Sequence, residues 1–358
     1  MEDKRLLVSL YDGCQYHCTF CMYGYVKEEH PLSDKDSMSL QRWNDVLLSA
    51  YAHGFRVLEI GGRGEPTLNP AFTKVVAMAH ELGYKIELLS NALNDKAILE
   101  VLPFIRTLTI NLNAVDQEGL ARIHQPSPGF SFDRCIGSVK NVLRGILENG
   151  LGITLRTNYV VTAQSLKDAF TFPQEVNRLL AAELGGRKLY VSYQHVHNYI
   201  KTPKHLGFDY EGLHKVLLLA KLNSRRKDLW DCTNLQDFIK KTEKLLERLR
   251  PFSEGRGTDA GCCYTCGVHK YVLFIDGNGD CYGCYNPFRA VNGLPIDQDP
   301  FFFGNLLSQS FDEIISGKED FSPVMDISKN YWRPCLLCKA TEAPLTAHGK
   351  DRNSQGLS

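Results

Sequence analysis

Residues 5 to about 200 alternate between short apolar segments and longer amphipathic segments, and this alternation limits the possible folds more than any other feature. The short segments are rich in Val, Ile and Leu, which is typical of strands buried on both faces. The predicted strands are Arg5–Leu10, Arg56–Ile60, Lys85–Leu89, Thr107–Asn111, Ile153–Val160 and Lys188–Tyr193. Helices are predicted between them, at about 40–53, 71–82, 94–103, 131–148 and 165–181.

Repeated strand–helix units build a parallel sheet with right-handed crossovers. Six units are too few for a closed eight-stranded barrel. We therefore predict an α/β fold: a partial (βα)6 TIM-like barrel with a small cysteine-rich module at the C-terminus. The predicted regions are the barrel (1–200), a helical connector (201–258), the cysteine-rich module (259–340) and a mobile polar tail (341–358).

Charge and hydropathy indicate which partners and which cellular location to expect. Lys and Arg together number 41, as do Asp and Glu, so the net charge is zero and favours neither nucleic acid nor an anionic membrane as partner. We find no signal-peptide pattern and no apolar run long enough to span a membrane, so we predict a cytoplasmic protein.

The twelve cysteines are unevenly placed: three lie within 14–21, seven lie within 262–338, and only Cys135 and Cys232 stand apart. Disulfides are rare in the cytosol, so clustered cysteines there indicate metal binding. We expect the two isolated cysteines to be small buried side chains.

The first cluster, Cys14-x3-Cys18-x2-Cys21, directly follows the first predicted strand. Three thiolates on one loop can hold three irons of a cubane and leave the fourth iron open. The alternative is a zinc site with His17 as the fourth ligand.

A glycine-rich motif, Gly61-Gly-Arg-Gly-Glu-Pro66, follows the second predicted strand. Its glycines would let the backbone approach a ligand closely, and Glu65 would offer a carboxylate for charge pairing. The alternative is an ordinary strand-to-helix turn.

Together, the two motifs resemble the radical S-adenosylmethionine (SAM) superfamily over roughly residues 5–200. The resemblance implies a [4Fe–4S] cluster on Cys14, Cys18 and Cys21 whose open iron binds SAM. It also implies reductive cleavage of SAM to a 5′-deoxyadenosyl radical, with an electron donor such as flavodoxin or ferredoxin.

The same resemblance suggests further SAM contacts. Phe20 takes the place of an aromatic beside the adenine, and Ser90-Asn91 take the place of ribose contacts. With polar residues of later strands, the candidate cofactor-binding residues are Phe20, Gly62, Arg63, Gly64, Glu65, Ser90, Asn91, Asn111, Asn113, Arg156, Asn158 and Gln194. Each of these polar residues could instead make an ordinary loop hydrogen bond.

The C-terminal cysteines resemble the SPASM and twitch extensions of that superfamily, which bind auxiliary clusters. The spacing of Cys266, Gly279 and Cys284 matches their hallmark, and Cys335-x2-Cys338 matches the twitch ending. The resemblance implies one auxiliary [4Fe–4S] cluster on Cys266, Cys284, Cys335 and Cys338. Two alternatives remain: the equally spaced pair Cys263 and Cys281, and a zinc ribbon. Cys262 has no assigned role.

The expected reaction is hydrogen abstraction from a C–H bond, leading to oxidation, cross-linking or epimerisation. A predicted first strand at residue 5 leaves no room for a fused peptide-recognition domain, which favours a small biosynthetic metabolite such as a sugar, aminocyclitol or nucleoside. A peptide or protein substrate is the alternative. A non-catalytic zinc scaffold explains the cysteines but not Gly61–Pro66, and zero net charge disfavours tRNA modification.

Overall fold

A computed structural model describes residues 3–11, 13–21, 38–195, 210–253, 263–266, 272–284, 301–318, 324–326 and 341–344. Most of the predicted tail, residues 345–358, lies outside the described residues. No helix within these ranges is both long enough and apolar enough to cross a membrane.

Six parallel strands form the predicted partial barrel, and each lies within two residues of its predicted bounds. They are β1 (Lys4–Val8), β2 (Phe55–Ile60), β3 (Lys85–Ser90), β4 (Ile105–Ile110), β5 (Thr154–Val161) and β6 (Tyr190–His195). Each strand pairs with the next in chain order, so the carboxyl ends of all six lie at one edge. That edge is where the loops carrying the candidate site begin.

Ten α-helices are present in the described part of the chain. They are α1 (Leu40–Ala52), α2 (Phe72–Glu81), α3 (Asp95–Val101), α4 (Gln117–Gly119), α5 (Phe132–Glu148), α6 (Phe172–Leu179), α7 (Ala181–Leu184), α8 (Tyr210–Asn223), α9 (Leu235–Ser253) and α10 (Phe311–Lys318). The helix predicted at 165–181 begins only at Phe172. Pro173, which lacks an N–H group, fits the first turn, and residues 165–171 form turns before it.

The two faces of the sheet differ in polarity. On β5 and β6, buried Tyr159, Val161 and Tyr193 belong to the apolar core that the helices cover. The residues that alternate with them face the other way and are less buried; Asn158, Ser192 and Gln194 are polar members of this set. The face turned away from the helices therefore offers hydrogen-bonding groups.

Three C-terminal strands extend the barrel sheet beyond β1. They are β8 (Val272–Ile275), parallel to β1, then β9 (Asp280–Tyr282) and β10 (Phe302–Asn305), both antiparallel to their neighbours. The region predicted as a separate module thus contributes to a nine-stranded sheet. The remaining strands, β7 (Cys263–Cys266), β11 (Val324–Asp326) and β12 (Thr341–Pro344), form a small antiparallel sheet.

A buried ion pair links the segments that follow β2 and β8, the two strands on either side of β1. The Arg63 guanidinium, in the glycine-rich motif, donates to the Asp276 carboxylate directly after β8 at 2.5 Å, and both side chains are buried. Removing one member of such a pair leaves an uncompensated buried charge. The pair therefore fixes the glycine-rich loop relative to the C-terminal strands.

Candidate functional site

The three cysteines of the first cluster lie on the loop that follows the carboxyl end of β1. None of the three forms a disulfide with another described cysteine; Cys18 is buried, whereas Cys14 and Cys21 are partly exposed. The Cys21 amide donates to the Cys18 carbonyl at 2.9 Å, which forms a tight turn between the second and third thiols. The chain thus presents three thiols on one short, ordered segment.

Main-chain hydrogen bonds attach this loop to the segment 120–127. His17 N–H donates to the His124 carbonyl and Thr19 N–H to the Ile123 carbonyl, both at 2.9 Å. In return, Ser127 N–H donates to the Gln15 carbonyl at 2.8 Å. The segment begins with a single π-helical turn, Leu120–His124, a type of distortion that is common at functional sites.

His124 links this turn to Cys18, and the sequence contains no signal that identifies it. Its side chain is fully buried. Its Nδ1 lies 3.1 Å from the Cys18 sulfur, and its Nε2 accepts from the backbone N–H of Asn113 at 2.9 Å. Burial lowers the pKa of His124 to about 3. Tyr16 and Phe20 contact this ring, with centroids 4.7 and 6.0 Å away.

Glu65 connects the ends of three strands. Its Oε1 accepts from the backbone N–H of Thr67, the Thr67 hydroxyl and the Ser90 hydroxyl. Its Oε2 accepts from the backbone N–H of Asn91 at 2.8 Å. Its own amide donates to the Gly13 carbonyl at 2.8 Å. Burial raises the pKa of this carboxyl, while the four donors oppose the rise. The carboxylate predicted for charge pairing is thus already held by protein donors.

The two asparagines predicted after β3 and β4 contact the cysteine loop and its support. Asn91 donates from its side-chain amide to Gln15 at 3.0 Å and lies 3.8 Å from the Cys14 sulfur. Asn113 donates to Asn111 at 3.2 Å and accepts from the amide of Val160 in β5 at 2.7 Å. The structure therefore brings these predicted residues together around one edge.

Gly62 is required where the glycine-rich loop approaches β1. Its φ is +118°, and a Cβ there would lie 3.0 Å from the Ser9 side chain. Arg63 turns away into its pair with Asp276. Gly64, partly exposed, then leads into Glu65.

The other predicted contacts are spread more widely. Gln194 donates to Ser192 at 2.9 Å on the polar face of β6, and Asn158 lies on the polar face of β5. Arg156 lines a cavity of about 410 Å³ at the amino ends of the strands, together with Arg5 and Lys85. The structure does not bring Arg156 to the cysteine loop, which follows a carboxyl strand end.

Two C-terminal cysteines have described side chains. Cys281 is packed in the apolar core and its thiol donates to the Gly279 carbonyl at 3.6 Å, whereas Cys284 is buried outside that core. Gly279 has φ +86°, which explains the glycine of the hallmark spacing. Nothing is described of the Cys263 and Cys266 side chains, and Cys262, Cys335 and Cys338 lie outside the described residues.

The donor set of the first loop fits a cubane. Within the described ranges, no three His, Cys, Asp or Glu side chains converge on a point that could hold a single metal ion. A cubane needs no such convergence, because each thiolate binds a different iron. His17, the fourth ligand of the zinc alternative, places Nε2 3.4 Å from the Ser127 hydroxyl.

Two family models match this chain. Residues 8–155 match the radical SAM superfamily, and residues 266–339 match the iron–sulfur cluster-binding SPASM domain. No curated protein sequence matches the chain significantly.

Solved structures share the fold at low sequence identity. Streptococcus suis SuiB bound to precursor peptide SuiA is 18% identical over 89% of this chain and 65% of that chain, with a TM-score of 0.57. SuiB bound to S-adenosylmethionine is 19% identical over 89% and 66%, with a TM-score of 0.58. Native anSMEcpe with bound AdoMet is 15% identical over 97% and 94%, with a TM-score of 0.55. This chain thus spans less than two thirds of the length of SuiB.

Replacing Glu65 by Gln tests its structural role. The amide has one oxygen, so keeping the Thr67 and Ser90 bonds would turn an NH2 group toward the Asn91 amide, leaving donor against donor. We expect the free energy of unfolding to fall by about 1–3 kcal/mol, measured by denaturant titration. The matched control is Glu118→Gln. The Glu118 carboxylate is exposed, so this substitution should change the free energy of unfolding by less than about 0.5 kcal/mol. Equal free energies of unfolding for the two variants would contradict a structural role of the Glu65 carboxylate.

Proposed function

The chain is a radical SAM enzyme with a C-terminal SPASM-type domain, and from this premise we propose that it abstracts hydrogen from a substrate C–H bond. The first domain implies a [4Fe–4S] cluster and SAM as cofactors, and SPASM domains bind auxiliary iron–sulfur clusters. When bound, these groups supply a one-electron reductant and the 5′-deoxyadenosyl radical, with the electron coming from a donor such as flavodoxin or ferredoxin.

Cys14, Cys18 and Cys21 are the residues proposed to hold the SAM-binding cluster. The observation that carries this assignment is the position of all three on the loop that follows the carboxyl end of β1. Main-chain bonds to residues 123–127 hold that loop in place. A loop held by such bonds loses less conformational entropy when it binds a cluster.

The SAM molecule is proposed to lie along the neighbouring strand ends. Gly62 and Gly64 would let the main chain approach the methionine part of SAM. Glu65 would hold the glycine-rich loop in place through its hydrogen bonds to Thr67, Ser90 and Asn91. Ser90, Asn91, Asn111 and Asn113 would offer polar contacts, and Phe20 an aromatic surface. The support is that these residues follow three adjacent strands, β2 to β4, beside the cysteine loop.

One auxiliary cluster is proposed on Cys266, Cys284, Cys335 and Cys338. Between the two possible registers, the contacts favour Cys284 over Cys281. The Cys281 thiol already donates to the Gly279 carbonyl inside the apolar core, where a charged cluster would be costly to desolvate. Cys284 is buried but is not one of the residues of that core cluster.

A small hydroxylated metabolite is the first candidate substrate. The support is the polar face of the sheet, where Asn158, Ser192 and Gln194 offer amide and hydroxyl groups. Such groups match the donors and acceptors of a sugar, aminocyclitol or nucleoside. Oxidation, cross-linking and epimerisation are the candidate outcomes.

A peptide is the second candidate. The support is the fold shared with SuiB, which is described as bound to a precursor peptide. The likeness comes at 18% identity and over 65% of SuiB, so it supports the candidate through the fold alone.

The two substrate classes can be separated with one extract. The reduced, reconstituted enzyme is incubated with SAM and a deproteinised extract of the source cells, and 5′-deoxyadenosine is measured by mass spectrometry. The same extract is tested after digestion with a nonspecific protease that is then heat-inactivated. Stimulation that survives digestion supports a metabolite, and stimulation that is lost supports a peptide.

The site itself is tested by replacing Cys14, Cys18 and Cys21 with Ala. We expect reductive release of 5′-deoxyadenosine from SAM to disappear, because no thiolate remains to hold the cluster. Cys232→Ala is the matched control: this cysteine is buried beside β6, where its carbonyl accepts from the Val191 N–H, and its thiol donates to the Asp228 carbonyl at 3.3 Å. SAM cleavage that persists in the triple variant would refute the assignment.

A further inference from the structure

Both ring nitrogens of His124 have partners near the cysteine loop. The Asn113 amide lies 2.9 Å from Nε2, and the Cys18 sulfur lies 3.1 Å from Nδ1. The side chain is fully buried. The role of this histidine therefore depends on which nitrogen carries the proton.

The Asn113 contact decides the tautomer. A backbone N–H can only donate, so Nε2 must present its lone pair. A neutral imidazole then carries its proton on Nδ1, the nitrogen that faces Cys18. Nδ1 is consequently a hydrogen-bond donor to sulfur and has no lone pair with which to bind a metal.

The donor is fixed relative to the sulfur by the main chain. His17 N–H and Thr19 N–H, on either side of Cys18, donate to the carbonyls of His124 and Ile123. The ring is also confined by Tyr16, whose centroid lies 4.7 Å away. The sulfur–nitrogen distance is thus set by two rigid segments bound to each other.

We propose that His124 is a positioning residue whose Nδ1–H donates to the Cys18 sulfur and raises the reduction potential of the SAM-binding cluster. This inference rests on the proposed function, in which Cys18 holds that cluster. Reduction adds negative charge that is shared with the thiolate sulfurs, so an N–H group aimed at one sulfur stabilises the reduced form more than the oxidised form. The histidine thereby makes the cluster easier for its electron donor to reduce.

Two substitutions separate this effect from a purely structural one. In His124→Gln, the side-chain oxygen can take the place of Nε2 and accept from Asn113, but the donor to Cys18 is lost. In His124→Asn, the amide N–H can take the place of Nδ1 and donate to Cys18, but the acceptor for Asn113 is lost. A structural role predicts similar effects of both changes, whereas the proposal predicts different potentials.

The experiment is a redox titration of the full-length, reconstituted protein followed by electron paramagnetic resonance. The signal to follow is the one whose g values change when SAM is added, which separates this cluster from an auxiliary one. We expect His124→Gln to lower its midpoint potential by about 59 mV, a tenfold change in a one-electron equilibrium. We expect His124→Asn to stay close to wild type.

Wild-type protein labelled with 15N-histidine gives a test that does not depend on a variant folding. We expect pulsed spectroscopy of the SAM-responsive signal to detect a histidine nitrogen coupling that disappears in His124→Asn. An unlabelled-like spectrum in wild type, or equal potentials in the Gln and Asn variants, would overturn the inference. Absence of any SAM-responsive signal in wild type would instead overturn the proposed function.

Discussion

The buried Glu65 carboxylate joins the carboxyl ends of three neighbouring strands, and the candidate site depends on it. Its two oxygens accept from residues after β2 and β3, and its amide donates to Gly13 after β1. Burying a carboxylate is costly unless donors surround it, so the buried position of Glu65 depends on these bonds. The cysteine loop and the glycine-rich loop are therefore parts of one polar network.

The C-terminal strands β8, β9 and β10 extend the sheet on the side of β1 that faces away from β2. Because β8 pairs with β1, the strand that precedes the cysteine loop is internal rather than an exposed edge. The Arg63–Asp276 ion pair then ties the glycine-rich loop to the turn after β8. Gly279 and Cys284, which carry the hallmark of the second cysteine group, lie on or just beyond this turn. Both cysteine regions are thus attached to neighbouring strands of one sheet.

How much the sequence predicts depends on whether the signal is local. The six barrel strands were predictable because Val, Ile and Leu cluster in short runs between amphipathic segments, although the structure buries mainly alternate residues of β5 and β6 rather than both faces. Gly62 was predicted to let the backbone approach a ligand, and its φ of +118° explains why glycine stands there. The pairing of β8 with β1 was not predictable, since it joins residues more than 260 positions apart through two short strands. His124 was missed for a related reason: its partners, Cys18 and Asn113, meet it only in the folded chain. The Arg63 side chain was expected at the cofactor, but it pairs with Asp276, which lies 213 positions away in the sequence.

Metal content tests the central claim most directly. Iron, sulfide and zinc are counted per chain in anaerobically reconstituted wild type and in the variant with Cys14, Cys18 and Cys21 replaced by Ala. The account predicts about eight irons in wild type and about four in the variant, the content of two cubanes and then one. About four irons falling to none with about one zinc retained would keep the SAM-binding cluster and replace the auxiliary one by zinc. Wild-type protein without iron would contradict the account.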